Sequence, residues 1–352
     1  MTPLAAVTKP PDGLILARAA DVVAVPIQWL WPGWLARGKM HILAGQAGLG
    51  KTTLALSLAA IVSTGDSWPD GTRCEDIGSV LIWSGEDDPA DTLKPRLMAM
   101  RAECSRVYFI SGVRENGERR TFDPATDMTA LAAAVDQVGD VRLLIIDPIV
   151  SAVAGDDKSN NEVRRSLQPI VDLASAYGVA VLGISHYTKN SHGRAPVERV
   201  VGSLAYGALV RLVLGVGEHV RPSGEKSPIL ARLKSNIGRD GDGFLYNIEE
   251  VEVKTGLLNT RIAWGEFVEG DSSDLMAPPG KTAREDGDSA LEAAREFLVE
   301  LLTVSTPQQT VKSEAKAAGH SWATVRRAAD ILGVKSRKGV DHWYWSLPAM
   351  AR

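Results

Sequence analysis

The run Gly45-Gln46-Ala47-Gly48-Leu49-Gly50-Lys51-Thr52 limits what this chain can fold into more than any other feature. It fits G-x-x-x-x-G-K-[ST], a spacing that needs a buried strand turning sharply into a helix. Both flanks comply: MHILAG (40–45) is short and apolar, and TLALSLAAIV (53–62) is an apolar helical stretch. The glycines let backbone N–H groups curl around an anion, and the helix start adds the positive end of its dipole. The ligand expected in such a loop is ATP, gripped by Gly45, Gln46, Ala47, Gly48, Leu49, Gly50, Lys51, Thr52 and Thr53. Lys51 is expected to reach the β- and γ-phosphates, and the Thr52 hydroxyl to bind Mg²⁺.

Around that loop, apolar runs alternate with helix-patterned stretches from Val23 to about Val268. The runs are SVLIWSG (79–85), RVYFISG (106–112), VRLLIID (141–147) and VAVLGISH (179–186), followed by ALVRLVLGV (208–216) and ILARLKS (229–235). Such alternation predicts an α/β fold with a mainly parallel sheet, and several runs end in small or polar residues, as strands do where a site forms. Residues 1–22 carry little pattern and read as a tail. Residues 269–288, polar and rich in Pro and Gly, read as a linker, and 289–352 as a small second unit. The 39 Lys and Arg against 43 Asp and Glu give a net charge of -4, so any contact with nucleic acid must come from local patches. Two cysteines without metal-ligand spacing, no signal-peptide pattern and no spanning apolar run suggest a reduced, cytoplasmic protein with no membrane partner.

Three residues at predicted strand ends are candidates for chemistry. Asp147 closes a buried strand and is placed to hold the magnesium shell; the alternative is a strand-end cap. Glu86, in SGEDD, can orient or deprotonate an attacking water, although Asp87 and Asp88 compete for that role and one of the three can cap the next helix. His186 can sense the γ-phosphate, or simply hydrogen-bond to backbone. The crowded Trp29, Trp31 and Trp34 read as packing under the sheet edge rather than as ligand contacts.

Taken in order, GQAGLGKTT, SGEDD, LLIIDPIV and GISHYTK resemble the RecA-like ATPases of the hexameric replicative helicase group, nearest to its plasmid- and phage-type members. The resemblance covers roughly residues 23–268. It implies a RecA-like core, a homo-oligomeric ring (a hexamer) with ATP between subunits, Glu86 as catalytic glutamate, Asp147 as the Walker B residue and His186 as γ-phosphate sensor. The family's late strand carries Lys-x-Arg, which reaches a neighbour's site. Here Lys234 matches, but Asn236 stands where the arginine is expected, leaving Arg232, which shares Lys234's strand face, or Arg239 as substitutes. The same resemblance points two loops, 154–165 and 188–203, into a channel for single-stranded DNA, with Lys189, Arg194 and Arg199 as phosphate contacts.

The C-terminal pattern is helix, helix, turn, helix and a Trp/Tyr-rich hairpin, the order of a winged helix. From Thr306 onward eight basic residues face three acidic ones, a local charge of +5. Arg326, Arg327, Lys335, Arg337 and Lys338 are therefore candidate contacts to duplex DNA, with protein interaction as the alternative use of such a unit.

Overall fold

Strands covered on both faces must be apolar on both, and VRLLIID and AVLGISH meet that demand residue by residue. The computed structural model describes residues 16–155, 159–187, 199–200, 206, 209–221, 224–276, 283–318, 320, 322–338 and 343–348. A small hairpin of β1 (Trp29–Trp31) and β2 (Leu35–Ala36) leads into β3 (Met40–Gly45), the phosphate loop and helix α1 (Lys51–Thr64). Next come β4 (Ser79–Ser84), a π-helical turn running into α2 (Lys94–Ala99), β5 (Val107–Phe109), and the small hairpin β6 (Val113–Glu115) and β7 (Glu118–Arg120). Helix α3 (Met128–Val138), β8 (Val141–Asp147), α4 (Asn160–Tyr177) and β9 (Ala180–His186) follow. Four long strands finish this part: β10 (Leu212–Val220), β11 (Lys226–Ser235), β12 (Gly241–Lys254) and β13 (Leu257–Val268).

Nine of these strands form one sheet in the order β13-β12-β11-β10-β3-β9-β8-β4-β5. From β10 to β5 every pairing is parallel, and β11, β12 and β13 extend the β10 side as an antiparallel ribbon. The strand carrying Asp147 is thus separated from the phosphate-loop strand by β9, the arrangement of a RecA-like core. Alternate residues divide between the two faces. Leu143, Ile145, Leu182 and Ile184 pack toward α1 and α2, whereas Leu144, Ile146 and Val181 pack toward α3 and α4.

Helix α1 lies inside the fold rather than on it. Twelve of its residues are buried, leaving only Thr52 and Thr64 out, as its all-round apolar sequence requires. The tryptophans behave as packing residues. Trp31 is fully buried and stacks on Trp34 at 4.8 Å and on Trp68 at 5.2 Å, over the α1 face of the sheet.

Two expectations need correction. Residues 160–165 are not loop: Ser159 caps α4, which begins at Asn160, so only part of 154–165 connects elements. The linker is shorter than 269–288. Asp271 caps a one-turn helix, α5 (Ser272–Leu275), and Leu275 and Met276 are buried in the main core. The following helix, α6 (Ala283–Leu301), starts within the remaining stretch. The β12–β13 hairpin adds two strands beyond 229–235, the last apolar run that reads as a strand.

The C-terminal unit continues with β14 (Thr306–Pro307), α7 (Gln308–Ala317), α8 (Trp322–Ile331), β15 (Lys335–Lys338) and β16 (Trp343–Ser346). Its three strands pair antiparallel in the order β14-β16-β15. It has its own core, in which Leu298, Val311, Val325 and Ala328 are buried with Trp345, stacked on Trp322 at 5.3 Å. Among the described residues no helix is long and apolar enough to cross a membrane.

Candidate nucleotide site

Neighbouring parallel strands end at one edge of the sheet, and that edge gathers the candidates. Gly45 pairs with His186 across β3 and β9, and Ser84 with Asp147 across β4 and β8. Backbone bonds continue the register past the strands: Tyr187 N–H donates to the Gly45 carbonyl at 3.3 Å, and Gly85 N–H to that of Asp147 at 2.8 Å. Two loop glycines are required sterically. A Cβ on Gly45 would come within 2.6 Å of the Val216 carbonyl oxygen on β10, and Gly50 sits at φ +72° as the residue preceding α1.

Inside this frame Lys51 is buried, and its ammonium donates to the Gln46 carbonyl at 2.9 Å, folded back across the loop. Burial lowers its pKa, while the negative charges of Asp147 and Glu86 act to raise it. The Thr52 hydroxyl donates to Asp147 Oδ2 at 2.6 Å, so the two expected magnesium ligands already touch. Asp147 is 4% exposed, and burial pushes its carboxyl up to about 6. The Thr52 hydrogen bond opposes that rise, as does Lys51, whereas Glu86 and Asp87 add to it. A hydroxyl beside a carboxylate is an oxygen donor set suited to a hard cation whose remaining positions are filled by phosphate and water. Such a cation would also discharge the strain of burying Asp147. Thr53 is buried behind the loop, while Gln46, Ala47 and Gly48 are exposed at its tip.

The acidic triplet after β4 separates into different states. Asp87 pairs with Arg96 at 2.9 Å, and Asp88 caps the following turn by accepting from the amides of Ala90 and Asp91. Glu86 is exposed, and its side chain has no partner among the described residues, although its charge is felt at Lys51, Asp147 and His186. Ser84 Oγ holds the turn by accepting from the amides of Glu86 and Asp87. The His186 pKa is lowered, chiefly by burial and then by Lys51, against the pull of Glu86.

Arg232 does not stand where a residue reaching a neighbour would. It is 9% exposed, pairs with Asp242 at 2.7 Å, donates to the Gly241 carbonyl at 3.0 Å and lies 4.7 Å over the Trp34 ring. Lys234 is half-buried and Arg239 exposed. Of the expected channel contacts, Lys189 and Arg194 lie outside the described residues, and Arg199 is half-buried beside the Tyr187–Val200 bridge. In the C-terminal unit Arg326 on α8 and Lys335 and Arg337 on β15 are exposed; the side chains of Arg327 and Lys338 fall outside the described residues. One participant was missed altogether. Tyr246, on β12, donates its hydroxyl to the Leu49 carbonyl at 2.7 Å, and nothing in GFLYNI (243–248) advertises a partner almost two hundred residues away.

Fold and site together define a P-loop ATPase with a RecA-like core. The chain belongs to the AAA domain family, which it matches over residues 9–192. No curated protein matches it. Among solved structures, a KaiC-like protein from the hyperthermophilic archaeon Pyrococcus horikoshii is similar to it at 16% identity and a TM-score of 0.45, over 64% of this chain and 96% of that one.

Proposed function

We propose that this chain is a Mg²⁺-dependent, oligomeric, DNA-dependent ATPase, a replicative helicase of a plasmid- or phage-type element. In this reading Lys51 and the loop amides hold the β- and γ-phosphates, and Thr52 and Asp147 hold Mg²⁺. Glu86 activates the attacking water, and His186 senses the γ-phosphate. The carrying observation is the acidic triplet: with Asp87 paired and Asp88 capping, Glu86 alone is left to act on a water near Lys51 and Asp147. Subunits form a ring, with Lys234 or Arg239 supplying positive charge to the neighbouring site. The C-terminal unit, read as a winged helix, grips duplex DNA through Arg326, Lys335 and Arg337.

A second reading keeps ATP binding but drops unwinding: an ATP-switched replication initiator, loader or regulator. The internal engagement of Arg232 and the asparagine at 236 favour it. ATPase assays with and without single-stranded DNA, beside forked-DNA strand displacement and a mass measurement of the oligomer, separate the two. Stimulated turnover with displacement supports the helicase; ATP-dependent assembly without displacement supports the switch. Truncation after Met276, where the main core ends, should spare basal ATPase and remove duplex affinity. Each lost phosphate contact lowers the salt slope by about 0.9.

A further inference from the structure

The ribbon strand β12 touches the phosphate loop twice, from one face. Tyr246 is fully buried, edge-on to Trp264 at 6.1 Å, with its hydroxyl on the Leu49 carbonyl. Two residues on, Ile248 lies so close to Gly50 that a Cβ there would stand 2.5 Å from Ile248 Cδ1. The Leu49 carbonyl and the Gly50 N–H belong to one planar trans peptide and therefore point in opposite directions. A donor that fixes the carbonyl toward β12 also fixes the Gly50 N–H away from it. Gly50 immediately precedes α1, where the first amides have no partner within the helix and face any anion bound there.

We propose that Tyr246 is a positioning residue for the nucleotide: its hydroxyl sets the Leu49–Gly50 peptide plane so that the Gly50 amide is aimed in advance at a β-phosphate oxygen. The inference rests on reading residues 45–52 as the nucleotide's phosphate loop. Burial raises the Tyr246 pKa, so the phenol stays a donor throughout the neutral range. An amide oriented before binding costs the ligand no reorganisation, and the gain belongs to ligands that carry the β-phosphate. Base and ribose contacts are indifferent to it.

The test uses the full chain with Tyr246→Phe, which removes one oxygen and keeps the ring against Trp264. ADP affinity should fall about fivefold, as for loss of one hydrogen bond to a half-buried carbonyl. KM for ATP should rise by a similar factor, with kcat at saturation within about twofold, because a preset ground-state contact is what was removed. AMP, which lacks the β-phosphate, measured by competition, should bind as to wild type. ADP affinity within about twofold of wild type, or an equal loss for AMP and ADP, overturns the proposal. If Tyr246→Phe does not fold, Ile248→Ala, at an exposed position, carries the test: about a twofold to threefold loss for ADP alone supports the proposal, and no loss overturns it. Lys51→Ala run in parallel separates the underlying reading. Undiminished ADP binding there sinks the phosphate loop itself, whereas loss there without loss in the β12 variants sinks only the role of Tyr246.

Discussion

Burial disfavours the negative charge that Asp147 carries at neutral pH, and replacing it with asparagine should make the nucleotide-free protein more stable. Its carboxyl moves from 3.8 to about 6 on folding, with burial the main cause. At roughly 1.36 kcal/mol per pKa unit, ionising Asp147 in the folded state costs about 3 kcal/mol more than in the unfolded chain. The folded pKa is raised, so the folded state holds the extra proton between the two values. The penalty is therefore absent below 3.8, grows as pH rises through the window, and is complete above about 6. An asparagine in its place would still accept from Thr52, but its unpaired amide hydrogens cost about 1 kcal/mol. Asp147→Asn should thus stabilise the apo protein by about 2 kcal/mol at pH 7.5, with the gain falling through zero inside the window and the variant about 1 kcal/mol less stable below 3.8. Denaturant unfolding followed by near-ultraviolet circular dichroism of the buried tryptophans reads the difference at each pH. Added Mg²⁺ and ATP should reverse the order, since only the wild type gains from them. A variant no more stable than wild type at pH 7.5, or a gain that does not change with pH, would refute the reasoning.

Other expectations test separate parts of the structure. Glu86→Gln should bind ATP normally and hydrolyse it about 10²–10⁴-fold more slowly, while Asp87→Asn, which loosens the Arg96 pair, should cost far less in single-turnover assays. His41 is fully buried, accepts from the Ala36 amide and meets the Val181 carbonyl, and burial lowers its pKa from 6.5 to about 4. Because the unfolded state binds the extra proton, Asp147→Asn protein should lose about 3 kcal/mol as pH falls from 6.5 to 4, a slope that Asp147 offsets in wild type. Arg232→Ala strands Asp242 and unstacks Trp34, so thermal melts should show about 2 kcal/mol of destabilisation. Mixing that variant with Lys51→Ala chains should restore no activity, whereas Lys234→Ala mixed with Lys51→Ala should recover some.

Strands 40–45 and 141–147 were readable to the residue because burial on both faces leaves a continuous apolar run bounded by polar breaks. That the candidate residues share one sheet edge was readable for the same reason, since they sit at those breaks. The start of α4 was not: Asn160-Asn161-Glu162 looks like loop, and the helix declares itself only through Val163, Leu167 and Ile170 turned inward around Pro169. The β12–β13 hairpin hid because its outer half faces water, giving Glu249, Glu250 and Glu252 where an apolar run would be sought. Arg232 misled for a different reason. Two positions apart on a strand fixes which face a residue shares, but not whether a neighbouring strand supplies an Asp242 to hold it. Leu275 and Met276, two apolar residues in a polar stretch, gave no periodic signal of the docking that shortens the linker.

The enclosure of α1 determines which parts of the site can act as machinery. A helix packed on all sides cannot roll or slide without displacing a close-packed core, and such cores resist compression. Lys51, Thr52 and Thr53 therefore ride on a stator. Whatever displacement accompanies phosphate arrival or departure has to be taken up by the facing pieces: the turn bearing Glu86, exposed and held by Ser84, and the strand end at His186.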